Sequence, residues 1–426
     1  MGNYCLQLDQ AYLHCYLSRF PPTLSPTLLY VYPFSAMPIT PIVDTETLAA
    51  FCDRQKGVDF ITVDTEFVRE KTYYPILCLM QIAGPKEEAV IDAMAPDINL
   101  SPIGGLFADN TILKVLHAGR QDNEIFYNLF RALPKPLFDT QIAAMVCGFG
   151  DQVAYGTLVQ KLTGVEIEKT SRFADWSHRP LTQKQLRYAL SDVTHLRPAY
   201  DKLAAELKQT GRADWVASEM EILTDTKTYE MNPRKAWERI KSRTANDKFL
   251  SVLREVAAWR EEEAQKRDIP RNRILRDDSL LDISAHTPNS VKALSRTRGI
   301  PKGFATGQLA DGLLEAIKRG TNIPEQERPK VVPRERIPNG IGPLIDLLKT
   351  LLKLQCEQAK VAPRLVASAA DLERIAAFDN ADVPALKGWR REIFGEQALD
   401  LKVGRLGLTA DGKTIKIIKL PGPRRS

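Results

Sequence analysis

Two carboxylates stand two residues apart in an otherwise apolar run, FITVDTEF at residues 60–67. The run predicts a buried β-strand, and alternate residues of a strand lie on the same face. Asp64 and Glu66 are therefore expected together on one face, opposite Ile61 and Val63. Two neighbouring carboxylates are costly to bury unless a cation lies between them. The sequence thus predicts a bound positive charge at this strand.

Two further stretches supply acids and a phenol. Asp122 follows a strand-like run at 112–119, and ligands of α/β sheets bind where strands end. An acid at a helix start is also favoured as a cap, so Asp122 alone is ambiguous. Tyr188 and Asp192, four residues apart in a predicted helix, share a face. Four acidic oxygen ligands suit Mg²⁺ or Mn²⁺ rather than zinc.

The elements that must position these residues alternate between strand and helix from about residue 38 to residue 225, which predicts an α/β layered fold. Strands are predicted at 60–67, 77–84, 89–94 and 112–119, and a helix at 121–133. After Asn232-Pro233 the periodic segments are all helical. These helices are predicted at 249–266, 289–294 and 307–318. A proline-rich, charged linker and a second helical block follow.

The three acidic motifs, DTE, HAGRQD and YALSD, resemble the exonuclease motifs of the DEDD 3′–5′ exonucleases. The tyrosine four residues before the last aspartate is typical of the DEDDy branch. The sequence DWSHRPL at 175–181, and the helical region that resembles an HRDC domain, indicate the ribonuclease D family. The resemblance covers roughly residues 38–400 and is weaker in the second helical block.

The resemblance implies an RNase H-like α/β catalytic domain, a mixed sheet flanked by helices, followed by two small all-α HRDC-like domains. The expected divisions are a disordered extension at 1–37, the DEDDy exonuclease domain at 38–225, an HRDC domain at 236–321, a linker at 322–340, and a second HRDC-like domain with a basic tail at 341–426. The extension could equally be an artefact of start-codon choice.

The same resemblance implies the chemistry. Asp64, Glu66, Asp122 and Asp192 would hold two divalent ions, Mg²⁺ or Mn²⁺, about 3.5–4 Å apart. Tyr188 would orient the attacking water or help to deprotonate it. The expected reaction releases nucleoside 5′-monophosphates from RNA 3′ ends, as in tRNA 3′-end maturation. The expected substrates are precursor tRNAs and other small structured RNAs with unpaired 3′ ends, and no nucleotide cofactor is implied.

Four other residues are weaker candidates for substrate binding. Phe67 would border the terminal nucleotide or serve as a core aromatic. His117 would contact phosphate or be a hydrogen-bonded residue at a strand end. Trp176 and Arg179 would shape the nucleic-acid groove or anchor their own loop.

Composition limits the class of protein. The 426 residues are 44% hydrophobic and 26% charged, which is typical of a globular protein. The net charge of +6 is compatible with an anionic partner but does not require one. No apolar run is long enough to span a membrane. Six scattered cysteines without a CxxC pair predict buried, reduced thiols in a cytoplasmic protein.

The first helical block carries many basic side chains, which suit contacts with RNA phosphates or form a solvated charged face. They are Arg267, Arg271, Arg273, Arg276, Arg296, Arg298 and Lys302. Its core is predicted to include Leu253, Val256, Ala257 and Trp259.

Two other functions remain open. A DNA 3′–5′ exonuclease would share the fold and the metal chemistry, because only contacts with the 2′-hydroxyl separate RNA from DNA. A non-catalytic RNA-binding module is the second alternative, and the intact acids at all four positions argue against it.

Overall fold

The computed structural model describes residues 38–168, 174–242, 246–300, 304, 307–330 and 335–421. The predicted N-terminal extension at 1–37 lies outside the described residues, as do Lys302 and the end of the basic tail at 422–426. Within the described ranges, no helix is both long enough and apolar enough to cross a membrane.

A mixed five-stranded sheet forms the centre of the first unit. Its strands are β1 (Phe60–Val68), β2 (Ile76–Ala83), β3 (Glu88–Asp92), β4 (Leu113–Leu116) and β5 (Leu137–Asp139). The order is β3-β2-β1-β4-β5, with β1 antiparallel to β2 and parallel to β4. The strand that carries Asp64 and Glu66 is therefore central, which explains why it is so apolar.

Helices cover both faces of this sheet. They are α1 (Thr45–Arg54), α2 (Ser101–Ala108), α3 (Arg120–Phe130), α4 (Thr140–Val146), α5 (Tyr155–Thr163), α6 (Gln183–Thr194), α7 (Leu196–Thr210) and α8 (Ala213–Leu223), with 3₁₀ turns at Thr226–Thr228 and Pro233–Arg239. The larger core includes Ile61 and Val63 of β1. A smaller core joins Leu79 of β2 to Leu186 and Val193 of α6, so α6 covers the opposite face.

The second unit is helical. Its helices are α9 (Asp247–Arg267), α10 (Arg271–Ile274), α11 (Asp277–His286), α12 (Val291–Leu294) and α13 (Gln308–Thr321), followed by a 3₁₀ turn at Glu325–Glu327. The predicted core is confirmed, because Leu253, Val256, Ala257 and Trp259 are all at most 5% exposed. The helix α9 begins where the Asn246 side chain accepts from two backbone N–H groups and ends at left-handed Asp268.

A third unit has its own core, which includes Leu351, Ile375 and Phe394. Its elements are α14 (Gly342–Ala359), α15 (Pro363–Val366), α16 (Ala369–Ala377), a 3₁₀ turn (Pro384–Leu386), α17 (Gly388–Arg390), a π-helical turn (Arg391–Gly395), α18 (Glu396–Lys402), β6 (Leu406–Asp411) and β7 (Thr414–Lys419). This unit was expected to be all-α, whereas β6 and β7 form an antiparallel hairpin near the chain end. The predicted fold class, an α/β sheet followed by helical regions, is confirmed.

Two junctions join the first unit to the others. At the Tyr73 junction, the backbone N–H groups of Tyr73 and Tyr74 both donate to Asp268 Oδ1 at 3.0 Å. The Tyr73 hydroxyl also donates to the Glu261 carboxylate of α9. At the tryptophan junction, the rings of Trp215 and Trp389 stack with centroids 4.4 Å apart and planes 6° apart. The Arg390 guanidinium pairs with the Glu219 carboxylate beside them.

The observed boundaries differ from the predicted ones in one informative place. The strand predicted at 112–119 ends at Leu116. Ala118 has a left-handed backbone, and the N–H groups of Ala118 and Gly119 donate to the Asp139 carboxylate at 3.0 and 2.9 Å. This turn ends the strand and begins α3, the helix that carries Asp122. The short strand β5 and the helix α2 were not predicted.

Candidate active site

The strand β1 presents Asp64 and Glu66 as its alternation predicts. Ile61 and Val63 are fully buried in the larger core, whereas Asp64 and Glu66 are only partly buried on the opposite face. The pairing with β2 is irregular between Glu66 and Phe67, immediately after the second acid. The strand therefore keeps the two carboxylates on one face up to the point where its register shifts.

Asp192 reaches these acids from α6. The helix begins at a capping box formed by Thr182 and Gln185. Near its end the Thr62 hydroxyl of β1 donates to the Val193 carbonyl at 2.8 Å, which fixes the helix against the strand. Asp64, Glu66 and Asp192 each offer a carboxylate oxygen, and these oxygens all lie within 4.8 Å of one another.

Burial raises the pKa of each acid in this group, and repulsion by neighbouring carboxylates adds to it for Asp64 and Glu66. Desolvation, then the negative charges of Asp192, Asp122 and Glu66, raise the pKa of Asp64 well above its ordinary value. The same causes raise the pKa of Glu66 to about 8. Burial raises the pKa of Asp192 to about 7, although a hydrogen bond from Tyr188 acts in the opposite direction. Three crowded oxygen ligands with destabilised charge are a donor set that fits a hard divalent cation.

Asp122 lies beside this group and approaches β1 from its other face. Its carboxylate accepts a hydrogen bond from the Thr65 hydroxyl, and Thr65 alternates with Asp64 and Glu66 along the strand. Its charge contributes to the raised pKa of both of those acids, so all four carboxylates interact. Burial raises the pKa of Asp122 itself to about 6. The structure therefore brings three predicted ligands into one group and places the fourth next to it.

Tyr188 occupies the position that its spacing predicts, one helical turn before Asp192. Its side chain is hydrogen-bonded to the Asp192 carboxylate and is partly exposed. Its ring lies 6.1 Å from the ring of buried Trp176. The phenol therefore borders the carboxylate group with one side supported by an indole.

A second phenol, Tyr155 on α5, was missed by sequence reasoning. Its hydroxyl donates to the Ser191 carbonyl at 3.0 Å, directly before Asp192. Burial and the charges of Asp192 and Asp64 raise the pKa of Tyr155 well above its ordinary value. No spacing relates Tyr155 to the acidic motifs, so only the three-dimensional packing of α5 could reveal it.

His117 and Phe67 have protein surroundings that favour their structural alternatives. The two ring nitrogens of His117 lie 2.9 Å from Thr140 Oγ1 and 3.2 Å from the Val153 carbonyl oxygen. Burial lowers the pKa of this imidazole, which favours its neutral form. Phe67 is partly buried and packs against the larger core. Substrate contact by either residue stays a prediction.

Arg179 and Trp176 belong to a tightly bonded loop. The Arg179 guanidinium donates to both oxygens of Asp92, at 2.7 and 2.6 Å. It also donates to the carbonyls of Trp176 and Cys78, at 2.6 and 2.9 Å. Because its donors are directed inward, the geometry favours the loop-anchoring alternative for Arg179, and Trp176 is 3% exposed.

Two of the basic residues proposed for phosphate contact have acidic partners. Arg271 Nε lies 2.5 Å from the Glu261 carboxylate, and Arg267 Nε lies 2.7 Å from that of Glu263. These pairs favour the charged-face alternative at both positions.

The sequence was compared with known families and proteins. The pattern of the family described as 3′-5′ exonuclease matches residues 39–208, and that of the HRDC domain matches residues 249–317. A ribonuclease D from Gluconacetobacter diazotrophicus is 49% identical over 377 residues, which cover 88% of this chain and 96% of that protein. A ribonuclease D from Granulibacter bethesdensis is 48% identical over 404 residues, covering 94% and 98%.

A crystal structure of Escherichia coli RNase D, described as an exoribonuclease involved in structured RNA processing, superimposes with a TM-score of 0.73 at 29% identity. The match covers 86% of this chain and 98% of that one. The similarity therefore extends beyond the sheet into the helical units.

Proposed function

Because the chain belongs to the ribonuclease D family of 3′–5′ exoribonucleases, we propose that Asp64, Glu66, Asp122 and Asp192 form its metal-dependent catalytic site. The observation that carries this proposal is the group of three carboxylate oxygens within 4.8 Å of one another, with Asp122 adjoining. Crowding of this kind is stable only when cations or protons neutralise it.

The four acids would hold the ions, and Tyr188 would orient the attacking water. Two divalent ions, Mg²⁺ or Mn²⁺, would clamp the scissile phosphate and stabilise the charge that develops on it. Asp64, Glu66 and Asp192 would hold them from one face of β1, and Asp122 from the other. The Tyr188 hydroxyl, held by Asp192, would accept a hydrogen bond from the attacking water and so orient it. Each cycle would release one nucleoside 5′-monophosphate.

We propose that unpaired RNA reaches the site along the cavity between the first and second units, which has a volume of about 960 Å³. Three arginines in its lining pair with acids, whereas Arg120 and Arg239 have no acidic partner among the described residues. Arg120, Gln121 and Glu124 of α3 line the cavity, and the same helix carries Asp122, which does not line it. Guanidinium groups and the nearby Tyr73 and Tyr229 rings suit phosphates and bases without selecting a sequence.

The proposed substrates are precursor tRNAs and other small structured RNAs with unpaired 3′ tails, which shorten until the stem blocks entry. We also propose that the domains divide at 38–225, 236–321 and 341–426.

Cys52, Cys78 and Cys356 are buried, Cys147 is half-buried, and all four are free thiols, as predicted for the described cysteines. Free thiols support the proposal of a cytoplasmic location.

The experiment compares a 3′-tailed RNA stem, a single-stranded RNA and a DNA of the same sequence, each with Mg²⁺, Mn²⁺ or a chelator. We expect metal-dependent release of 5′-monophosphates from both RNAs, stalling at the stem, and no activity in Asp64→Ala. Equal degradation of the DNA would favour the DNA exonuclease alternative. Binding without cleavage would favour the RNA-binding module.

A further inference from the structure

A glutamine in the sheet lacks any hydrogen-bond partner. Gln81 of β2 is 0% exposed, and neither its amide oxygen nor its amide nitrogen has a partner among the described residues. Buried polar groups are nearly always hydrogen-bonded in native proteins, and an unpaired buried amide is destabilising. Its retention at this position therefore needs an explanation.

The register of the sheet places Gln81 beside the catalytic group. Gln81 is directly opposite Asp64 in the antiparallel pairing of β1 with β2. Directly opposed side chains share a face, with Cβ atoms about 4.5–5.5 Å apart. The next pair on this face, Leu79 and Glu66, has the same orientation. On the other side Gln81 faces Val90 of β3, which is apolar.

Two other polar groups on this face already have partners. The Thr62 hydroxyl donates to the carbonyls of Val193 and Ala83, at 2.8 and 3.3 Å. The Asp92 carboxylate receives the Arg179 guanidinium. The helix α6 packs on the strands β1, β2 and β3 here and brings apolar side chains such as Leu186 and Val193. Of the carboxylates that remain on this face, Asp64 is the one directly opposite Gln81.

We propose that Gln81 is a positioning residue of the active site: when a cation is bound, its Nε2 amide would donate to the Asp64 carboxylate directly opposite and fix the rotamer of that carboxylate. The inference rests on the proposed function of Asp64. In that arrangement one Asp64 oxygen would accept from the amide, and the oxygen that lies within 4.8 Å of those of Glu66 and Asp192 would remain for the cation. A neutral amide can fix the carboxylate rotamer without adding a charge. An arginine or lysine at this position would add a positive charge that competes with the cation.

The test replaces Gln81 with methionine, which has similar length and no hydrogen-bonding amide. Calorimetric titration of the metal-free protein with Mn²⁺ measures affinity independently of catalysis. We expect Gln81→Met to bind Mn²⁺ about tenfold more weakly, as is typical when a partner of a metal-binding side chain is lost. We also expect kcat to fall at least about tenfold with KM for RNA nearly unchanged.

The matched control is Leu79→Met, a similar-sized apolar change on the same face of the same strand, for which we expect Mn²⁺ affinity and kcat like those of the wild type. Wild-type affinity and kcat in Gln81→Met, or equal losses in both variants, would overturn the inference. If Gln81→Met does not fold, Gln81→Asn, whose amide is one methylene too short, gives the same test.

Failure of this inference is separable from failure of the proposed function. Metal-independent wild-type activity, or an active Asp64→Ala, would contradict the catalytic assignment itself. A metal-dependent wild type, an inactive Asp64→Ala and a fully active Gln81→Met would refute only the role of Gln81.

Discussion

At the scale of single residues, the fold holds Asp64, Glu66 and Asp192 together against their own repulsion. Their raised pKa values show that the metal-free protein accommodates this group poorly at neutral pH. The proposed function therefore requires a local arrangement that costs stability until cations bind. The apolar packing between α6 and β1, which does not involve the acids, offsets this loss of stability.

The variant Asp192→Asn separates the effect of this carboxylate on activity from its effect on stability. We expect at least about a hundredfold loss of exonuclease activity, more than the loss of a merely orienting group usually causes. We expect the metal-free variant to melt higher, because one repelling charge has been removed, by about 2–4 °C for each kcal/mol of relief. Thermal unfolding in chelator measures this change. An unchanged or lower melting temperature would contradict the account of repulsion.

The same acids predict how stability depends on pH. In the folded protein the pKa values of Glu66 and Asp192 are raised to about 8 and about 7. Below these pH values the folded state therefore keeps protons that the unfolded state has already released. The metal-free protein should therefore lose stability as pH rises from about 6.5 to about 8. His117 and His195, whose pKa values are lowered from 6.5, act in the opposite direction at lower pH.

The measurement is a series of denaturant titrations in chelator across that range, with Asp192→Asn as the control. We expect a shallower decline in the control and in wild type saturated with Mn²⁺. Stability that rises through the same window would refute the assigned direction.

At the scale of elements, the sequence predicts β1 and α6 because each follows a single clear periodicity. It does not predict which face Asp122 approaches, since that depends on where α3 docks and on the Thr65 contact. The pairing of Gln81 with Asp64 depends on strand register, and the position of Tyr155 depends on helix packing. Local pattern thus identified the proposed ligands, whereas the neighbouring residues Gln81 and Tyr155 emerge only from tertiary contacts.

The Tyr73 junction gives an element-scale prediction. Asp268 accepts from two backbone N–H groups of the loop after β1, and its own backbone is left-handed. Asp268→Gly removes the carboxylate without adding backbone strain, so lost hydrogen bonding dominates. We expect a loss of about 1–3 kcal/mol in unfolding free energy and faster amide exchange at residues 69–75.

Asp268→Asn is the matched control, because it keeps one acceptor oxygen and tolerates the left-handed backbone. We expect it to retain most of the stability and the exchange protection. If Asp268→Gly exchanges at wild-type rates in this loop, the junction does not order it.

At the scale of the whole molecule, the catalytic unit is held on two sides by different chemistry. The Tyr73 junction is polar and joins the loop after β1 to α9, whereas the tryptophan junction joins α8 to the third unit through stacked rings. Composition and motifs could not predict either junction, because each pairs residues far apart in the sequence. Of the two, the Tyr73 junction contributes Tyr73, Tyr74 and Glu261 to the lining of the cavity between the first and second units.

Trp389→Ala tests the tryptophan junction. Trp389 is 9% exposed and stacks on Trp215, so truncation should cost about 3 kcal/mol and loosen the third unit from the first. Limited proteolysis should then cut within residues 322–340 faster than in wild type. Arg391→Ala, at an exposed neighbouring ion pair, is the control and should behave as wild type. Equal cleavage in both variants would show that the stack is not holding the units together.

The Tyr73 junction also bears on how the enzyme is made. Tyr73 meets Glu261 and Asp268, partners that are 188 and 195 residues further along the chain. Since synthesis proceeds from the N-terminus, a ribosome completes the whole catalytic unit well before it adds either partner. The loop after β1 therefore lacks these hydrogen bonds until residues 261–268 have been synthesised. Exonuclease activity should therefore appear only after the helical part of the nascent chain has emerged and docked.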